Sequence, residues 1–550
     1  MSASDKKKLR KEQYAATLTE KQLKEQKEAK KLKTYTLTFA VVMLLVVAIV
    51  VGVTLRSPVN SIINQKTHAI TFGEYKLTTA DFSYYYIDTI NEYCNEVYTQ
   101  YSQTLGTYWA MMLGFNTNAP LDEQMYDEEK NITWAQWFVD QAIENAKQTY
   151  TIYEQALANN HKLTEDEQKS LDGFENDLSA VAKNYGYSSV KDYLRITYGD
   201  GSTVENYKNY NAVNFYASSY MTAYSDSLEY TDEEIREYEK DKFLNYTNFD
   251  YCYYLINVKD YLGEGTKDAD GNVTYTDKQK EDALAAAKKD ADALVAAKVT
   301  TASKFDEAVK ALAINKDNKN AACVQGKDVF YEDLNYKEIQ EWLGDDARKA
   351  NDFDAVPLIN KTGEGEDAKE EIVGYLVILF QERDDCYDKL VSVRHILAAF
   401  PYYYDTEGNQ HIDDSAKVKT KTKAEGWLKE WKEGKSTEES FAELANKNSN
   451  DGDGKSGGLY KDVYPGQMVE SFNNWCFDKD RKPGDTGIIE TEYGYHIMYF
   501  VETQEETYRD AMIKSDMMYE DIDEWLENHM KDYNVERINL NGLKLDIVLG

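Results

Sequence analysis

The feature that most constrains this fold is an order of segments that occurs twice. FDYCYYLINV at 249–258 is a β-rich run, followed by an Ala-rich helical stretch at 281–298, by FDEAVKALA at 305–313 and by the strand-like EIVGYLVILF at 371–380. The same order returns as VSVRHILAAF at 391–400, a helix from about 416, FAELANKNS at 441–449 and GYHIMYF at 494–500. In the second long helix Ala424, Trp427, Leu428 and Trp431 fall at i, i+3, i+4 and i+7, the spacing of a buried stripe. Two such spans, 246–384 and 391–502, predict two copies of one compact α+β unit.

The flanking chain reads differently. Residues 68–245 have helical periodicity, as in Trp134, Phe138, Ala142, Ala146 and Tyr150, and are expected to form a helical domain rich in Tyr. Residues 503–550 are expected to be a C-terminal amphipathic helix and tail packing on that domain. At the other end, residues 1–35 carry eleven Lys or Arg against five Asp or Glu. No ionisable acid or base then occurs from Thr34 to Leu55. That pattern predicts a transmembrane anchor at 36–55, a cytoplasmic basic tail and a bulk on the outer side of a cell membrane. The formal net charge of −35 argues against nucleic acid as a partner, since a phosphate backbone is bound by clustered Lys and Arg. The five Cys (94, 252, 323, 386, 476) lack metal-ligand spacing and read as small buried residues, with Cys252 and Cys386 a conceivable pair. DADG at 268–271 reads as a turn, because Thr266 stands where the first ligand of a calcium loop belongs. No metal and no cofactor is expected.

The second repeat carries a denser pattern: V-R-H-I-L at 393–397, F-A-E-L-A at 441–445, N-S-N-D at 448–451 and G-G at 457–458. It continues with G-Q-M-V-E-S-F at 466–472, K-P-G-D at 482–485 and T-E-Y-G-Y-H-I at 491–497. In order and spacing this resembles the parvulin family of peptidyl-prolyl cis/trans isomerases, over about one fifth of the chain. The whole plan, an anchor, a helical region, parvulin units and a returning helix, is similar to the extracytoplasmic foldases of the PrsA, SurA and PpiD type. The resemblance implies that His395 and His496 are the paired active-site histidines. It places Asp451 beside the substrate carbonyl and makes Thr491 the hydroxyl completing the polar network. Met468, Phe472 and Leu459 would line the proline pocket. One departure lies next to that pocket, where G-G-L-Y-K-D at 457–462 replaces the family's G-G-D-L-G.

Aligning the repeats puts Tyr253 where His395 stands and Leu376 where His496 stands, so the first repeat is expected to be a degenerate parvulin-like domain. The implied function is isomerisation of X-Pro bonds in exported, unfolded polypeptides by a membrane-anchored foldase. A non-catalytic chaperone or assembly factor, with the parvulin-like units as scaffold, stays open, as does pairing into a homodimer.

Overall fold

The computed structural model describes residues 57–549 apart from 268–271, 363–368, 406–409, 453–455 and 532. The chain divides into two compact units, one formed by residues up to Leu228 together with Glu520 onward, the other by Glu229–Tyr519.

After a short helix at 57–64, the first unit forms a hairpin ahead of its first long helix. Strands β1 (His68–Phe72) and β2 (Tyr75–Thr78) turn at Gly73, whose φ of +55° and the Tyr533 ring, 2.7 Å from where a Cβ would sit, both require glycine. Val535–Arg537 adds a third antiparallel strand beside β1, so the all-helical reading of 68–245 is corrected to helices on a small sheet. The helices are α1 (Thr79–Leu105), α2 (Trp134–Ala158), α3 (Glu165–Asn184), α4 (Val190–Tyr198) and α5 (Val204–Ser225). Their starts are chemically marked. Thr78, Thr164 and Thr203 each close a capping box with Asp81, Glu167 and Asn206, and Thr133 caps α2. Phe72, Phe82, Tyr84, Tyr86, Phe138 and Leu194 form the buried centre.

The second unit begins with α6 (Asp232–Glu239) and then holds two four-stranded antiparallel sheets. The first is built from β3 (Asn248–Asn257), α7 (Asp277–Ala296), α8 (Ala302–Ala311), β4 (Val324–Phe330), α9 (Lys337–Leu343), β5 (Phe353–Thr362) and β6 (Lys369–Asp384). The second is built from β7 (Lys389–Ala399), α10 (Asp414–Glu433), α11 (Glu438–Asn448), β8 (Leu459–Val463), α12 (Glu470–Cys476), β9 (Thr486–Glu490) and β10 (Gly494–Thr507). Strand order is β4-β3-β6-β5 in one and β8-β7-β10-β9 in the other, the same path through both sheets. The central registers also coincide: Tyr253 faces Ile378 and Leu255 faces Leu376, while His395 faces Met498 and Leu397 faces His496.

Alternation along each central strand sorts side chains to two faces. In the second sheet Ile396, Ala398 and Ile497 pack under Ala424, Trp431 and Phe441 of the long helices. Val391, Val393, Met498 and Phe500 face the other way, against Phe472 and Cys476 of α12. A last helix, α13 (Tyr508–Met530), runs from the second unit into the first. In the second unit its Ile513 packs with Ile235 and Tyr246; in the first its Leu526 packs with Ile152 and Ala217. Arg509 is fully buried, donating to the carbonyls of Phe243 (2.6 Å), Tyr246 (2.8 Å) and Asp385 (3.1 Å) and pairing with Glu239.

Two expectations need correction. Among the described residues no helix is long and apolar enough to cross a membrane, and the basic tail (1–35) and the anchor expected at 36–55 lie outside them. The described residues thus form an α+β architecture without a membrane-crossing helix, and they do not support the expected membrane partner or single-pass placement. Cys252 and Cys386 do not pair: all five cysteines are free, Cys252 donates to Gln381 Oε1 (3.3 Å) and Cys386 Sγ accepts from Asn248 (3.4 Å). The turn expected at DADG, 268–271, also lies outside the described residues.

Candidate active site

His395 and His496 stand on the two central strands β7 and β10, on the face that looks toward α12. They are diagonal neighbours across the ladder, which brings their Nδ1 atoms to 3.0 Å. The turn after α11 is docked on β7 by its own polar groups. Ser449 Oγ accepts from Leu397 N (3.1 Å), Asn450 N donates to Leu397 O (2.9 Å) and Asn450 Oδ1 accepts from Ala399 N (3.2 Å). Asp451 is thereby set with Oδ2 3.0 Å from His395 Nε2. At the far end Thr491 Oγ1 lies 2.9 Å from His496 Nε2 and accepts from Tyr493 N at 3.1 Å.

The glycine pair has a measurable reason. Gly458 has φ +66°, and a Cβ there would lie 2.1 Å from the His395 carbonyl oxygen. Only glycine lets this segment close on β7, where His395 N donates to Gly458 O at 2.9 Å. Two residues on, the Tyr460 hydroxyl donates to Asp451 Oδ2 at 2.7 Å.

A continuous hydrogen-bonded chain results: Tyr460, Asp451, His395, His496, Thr491. The His395 side chain and both His496 and Thr491 are buried, while Asp451 keeps about a third of its side chain exposed (36%). The hydrogen bond from His395, helped by that from Tyr460, holds the Asp451 carboxyl down at about 2. Burial pushes the His496 imidazole down to about 4, with a smaller push from the charge of His395. Burial and the bond to Asp451 raise the Tyr460 phenol to about 12. An ionised Asp451 can only accept, so it fixes a proton on His395 Nε2. With His395 neutral, its Nδ1 accepts from His496 Nδ1–H, and His496 Nε2 in turn accepts from the Thr491 hydroxyl. The carboxylate thus orders every proton in the chain.

Phe472 closes the site with its ring 5.4 Å from His395 at 83° and 5.5 Å from His496 at 90°. Met468 is half-buried against the same cluster and lies just ahead of α12. Leu459 pairs with Arg394, and alternation turns its side chain away from the face that Tyr460 occupies. Of the residues expected from the sequence, His395, His496, Asp451, Thr491 and Phe472 are brought together, Met468 borders them and Leu459 does not join. Tyr460 was missed, because it lies in the stretch that departs from the family pattern. Strand alternation across LYKDV, one residue on from Leu459, was the signal available. Among the described residues no group of three or more His, Cys, Asp or Glu could hold a metal ion.

A family model described as the PPIC-type PPIASE domain matches residues 375–504, from within β6 to within β10. Foldase protein PrsA 1 of Listeria innocua serovar 6a is 32% identical over 107 residues, which is 18% of this chain and 36% of the relative. The protein of the same name from Listeria monocytogenes serovar 1/2a is 31% identical over the same shares. The chain thus spans about a third of the length of the curated relatives it matches. Among solved structures, the peptidylprolyl isomerase PrsA of Bacillus anthracis is 21% identical, covering 27% of this chain and 61% of that one at a TM-score of 0.17. The chain therefore carries a parvulin-type (PPIC-type) peptidyl-prolyl isomerase domain and over that span shows weak homology to PrsA foldase proteins.

Proposed function

We propose that the second sheet unit catalyses cis/trans isomerisation of X-Pro bonds in unfolded or partly folded, exported polypeptides. The observation that carries this reading is the unbroken chain from Tyr460 to Thr491, with its one charged member, Asp451, partly exposed beside the aromatic wall of Phe472. An X-Pro bond resists rotation with a barrier of roughly 18–20 kcal/mol because amide resonance gives the C–N bond double-bond character. That resonance places negative charge on the carbonyl oxygen. A carboxylate held anionic beside the oxygen disfavours the planar form and stabilises the twisted one relative to it, with no covalent step. Met468 and Phe472 supply apolar surface for the proline ring. The histidine pair keeps Asp451 ionised and in place.

The test is a cis/trans assay on X-Pro peptides varied at X, using the full chain beside H395A, D451A and M468A. The reading predicts a rate that falls at least tenfold in the first two variants, about 1.4 kcal/mol of transition-state stabilisation, with their folding intact. No rate on any peptide, together with suppressed aggregation of an unfolded client, would replace it with a non-catalytic chaperone.

A further inference from the structure

The two repeats hold their edge strands differently, and the difference falls on two cysteines that the isomerase reading does not use. In the second sheet Arg394 of β7 ties down the segment leading into β8. Its guanidinium donates to the carbonyls of Ser456 (3.3 Å) and Gly457 (3.0 Å) and to Glu438 (2.9 Å). The alignment of Tyr253 with His395 puts Cys252 where Arg394 stands. Ala302 heads α8 after its capping Thr301, as Glu438 heads α11 after Thr437. The first sheet thus has neither the arginine nor its acid, and it turns a thiol toward its edge segment.

That segment carries the second thiol. Arg394 pairs with Leu459 and reaches two residues back to Gly457; Cys252 pairs with Gln325, and two residues back stands Cys323. Alternation puts Cys252 and Cys323 on one face. Both are buried with Ala291, Phe305 and Val309 of α7 and α8, while Tyr251 and Tyr253 pack on the opposite face. Their diagonal offset equals that of His395 and His496, whose ring nitrogens meet at 3.0 Å. The thiols interact directly. One S–H donates to the other sulfur, so the pair loses its first proton more readily than a lone thiol and its second less readily. Burial raises Cys94, Cys386 and Cys476 instead. An oxidant also has a route in. Strand β4 is at the edge of its sheet, ladder pairing ends at Val324, and Cys323 sits between the exposed Ala322 and Val324. Cys323 is 7% exposed and Cys252 0%, so Cys323 is the sulfur reached first.

We propose that Cys252 and Cys323 form a modification site, an oxidisable dithiol that exchanges with a low-molecular-weight disulfide and so locks the edge segment onto β3. The Cys323 thiolate attacks one sulfur of that disulfide, forming a mixed disulfide and expelling one thiolate. The Cys252 thiolate then attacks the Cys323 sulfur, the protein S–S bond forms, and the second thiolate leaves. Two protein thiols give up two protons and two electrons, and the external disulfide is reduced to two thiols. The new bond closes a loop of about 70 residues, which restrains the unfolded chain and stabilises the first sheet. It makes covalently the tie that Arg394 makes by hydrogen bonds in the second sheet.

The experiment equilibrates the full chain with mixtures of reduced and oxidised glutathione, maps disulfides by proteolysis and mass spectrometry, and records the thermal melt. Wild type is expected to lose two of its five thiols, joined as Cys252–Cys323. Its melting temperature should rise by about 3 °C or more, and dithiothreitol should reverse the change. Under the same oxidation C323A should show no rise, and C386A should behave as wild type. The mapping on wild type needs no variant, so it decides the matter even where a variant fails to fold. A chain that keeps all five thiols across the series, one that stops at a glutathione adduct, a bond between other cysteines, or a melting temperature that does not rise on oxidation would each overturn it.

Discussion

The two sheets of the second unit are the same scaffold with different centres. In the first, Arg348 Nε donates to the Trp342 carbonyl (2.9 Å) and its guanidinium lies 4.2 Å over the Trp342 ring. In the second, Arg481 does the same to Trp475, at 3.1 Å and 4.1 Å. Asp352 and Asp485 then each tie the loop to the central strand, accepting on the backbone from Phe380 N and Phe500 N, both at 2.9 Å. Around the site, by contrast, little is shared. Tyr253, Leu376 and Ile339 stand where the second sheet has His395, His496 and Phe472, and Tyr253 packs on Tyr251 and Tyr336 instead of joining a polar chain. The difference teaches that this fold is held by its loop clamps and two-faced core, while the polar chain is an addition. Apolar groups of suitable shape can replace a buried hydrogen-bonded set at little cost to stability, so a repeat can lose its site and keep its sheet.

The largest effect expected is one that strikes both repeats together. Arg509 joins the segment before the first sheet to the connector between the sheets, so R509M strands Glu239 and three carbonyls. It is expected to cost about 3–5 kcal/mol, read by urea unfolding, with amide exchange rising in both sheets. Exchange rising in one sheet alone would break the view of a shared clamp.

Acid should then separate them. His496 is held at about 4 in the folded chain, while an unfolded histidine titrates near 6.5. Between those values the unfolded state binds more protons, so stability is fully present above about 6.5 and falls as pH drops toward 4. The slope from this one group is at most about 1.4 kcal/mol per pH unit. Asp451, held at about 2, adds a loss only below the usual carboxylate range, as pH falls toward that value. Residues 246–384 contain no histidine. Amide protection factors, corrected for the intrinsic pH dependence of exchange and followed from pH 7 to 4.5, should therefore fall in β7 and β10 before β3 and β6.

The smallest effect sharpens the likeness. R348M and R481M each remove one backbone hydrogen bond, one cation–π contact and one ion pair at the surface, to Asp345 and Asp478, worth together about 1–2 kcal/mol. Equal losses in thermal melts are expected from the two variants, and unequal ones would show that the clamps have diverged.

Much of this was readable before the structure, for identifiable reasons. The central strands are apolar on both faces, so FDYCYYLINV and VSVRHILAAF could be aligned residue by residue, and the alignment of Tyr253 with His395 agrees with the observed ladder registers. The edge strands were silent. Val324–Phe330 and Leu459–Val463 are short and largely exposed or half-buried, with irregular pairing, and leave little periodicity to read. The hairpin at 68–78 was read as part of a helical domain, since its third strand comes from Val535–Arg537, far along the chain. At the site, His395, His496, Asp451 and Thr491 were legible through motif order. Tyr460 was not, since its role depends on the close approach that Gly458 permits. Met468 borders the same cluster as Phe472 although it lies ahead of α12.

The most direct test of the central claim writes the first sheet's residues into the second. The full chain carrying H395Y and H496L is assayed for X-Pro isomerisation alongside its thermal melt. The account predicts a fold that survives, because Tyr253 and Leu376 occupy those register positions in the other sheet, and a rate reduced to the uncatalysed level. A folded double variant that isomerises at the wild-type rate would contradict it.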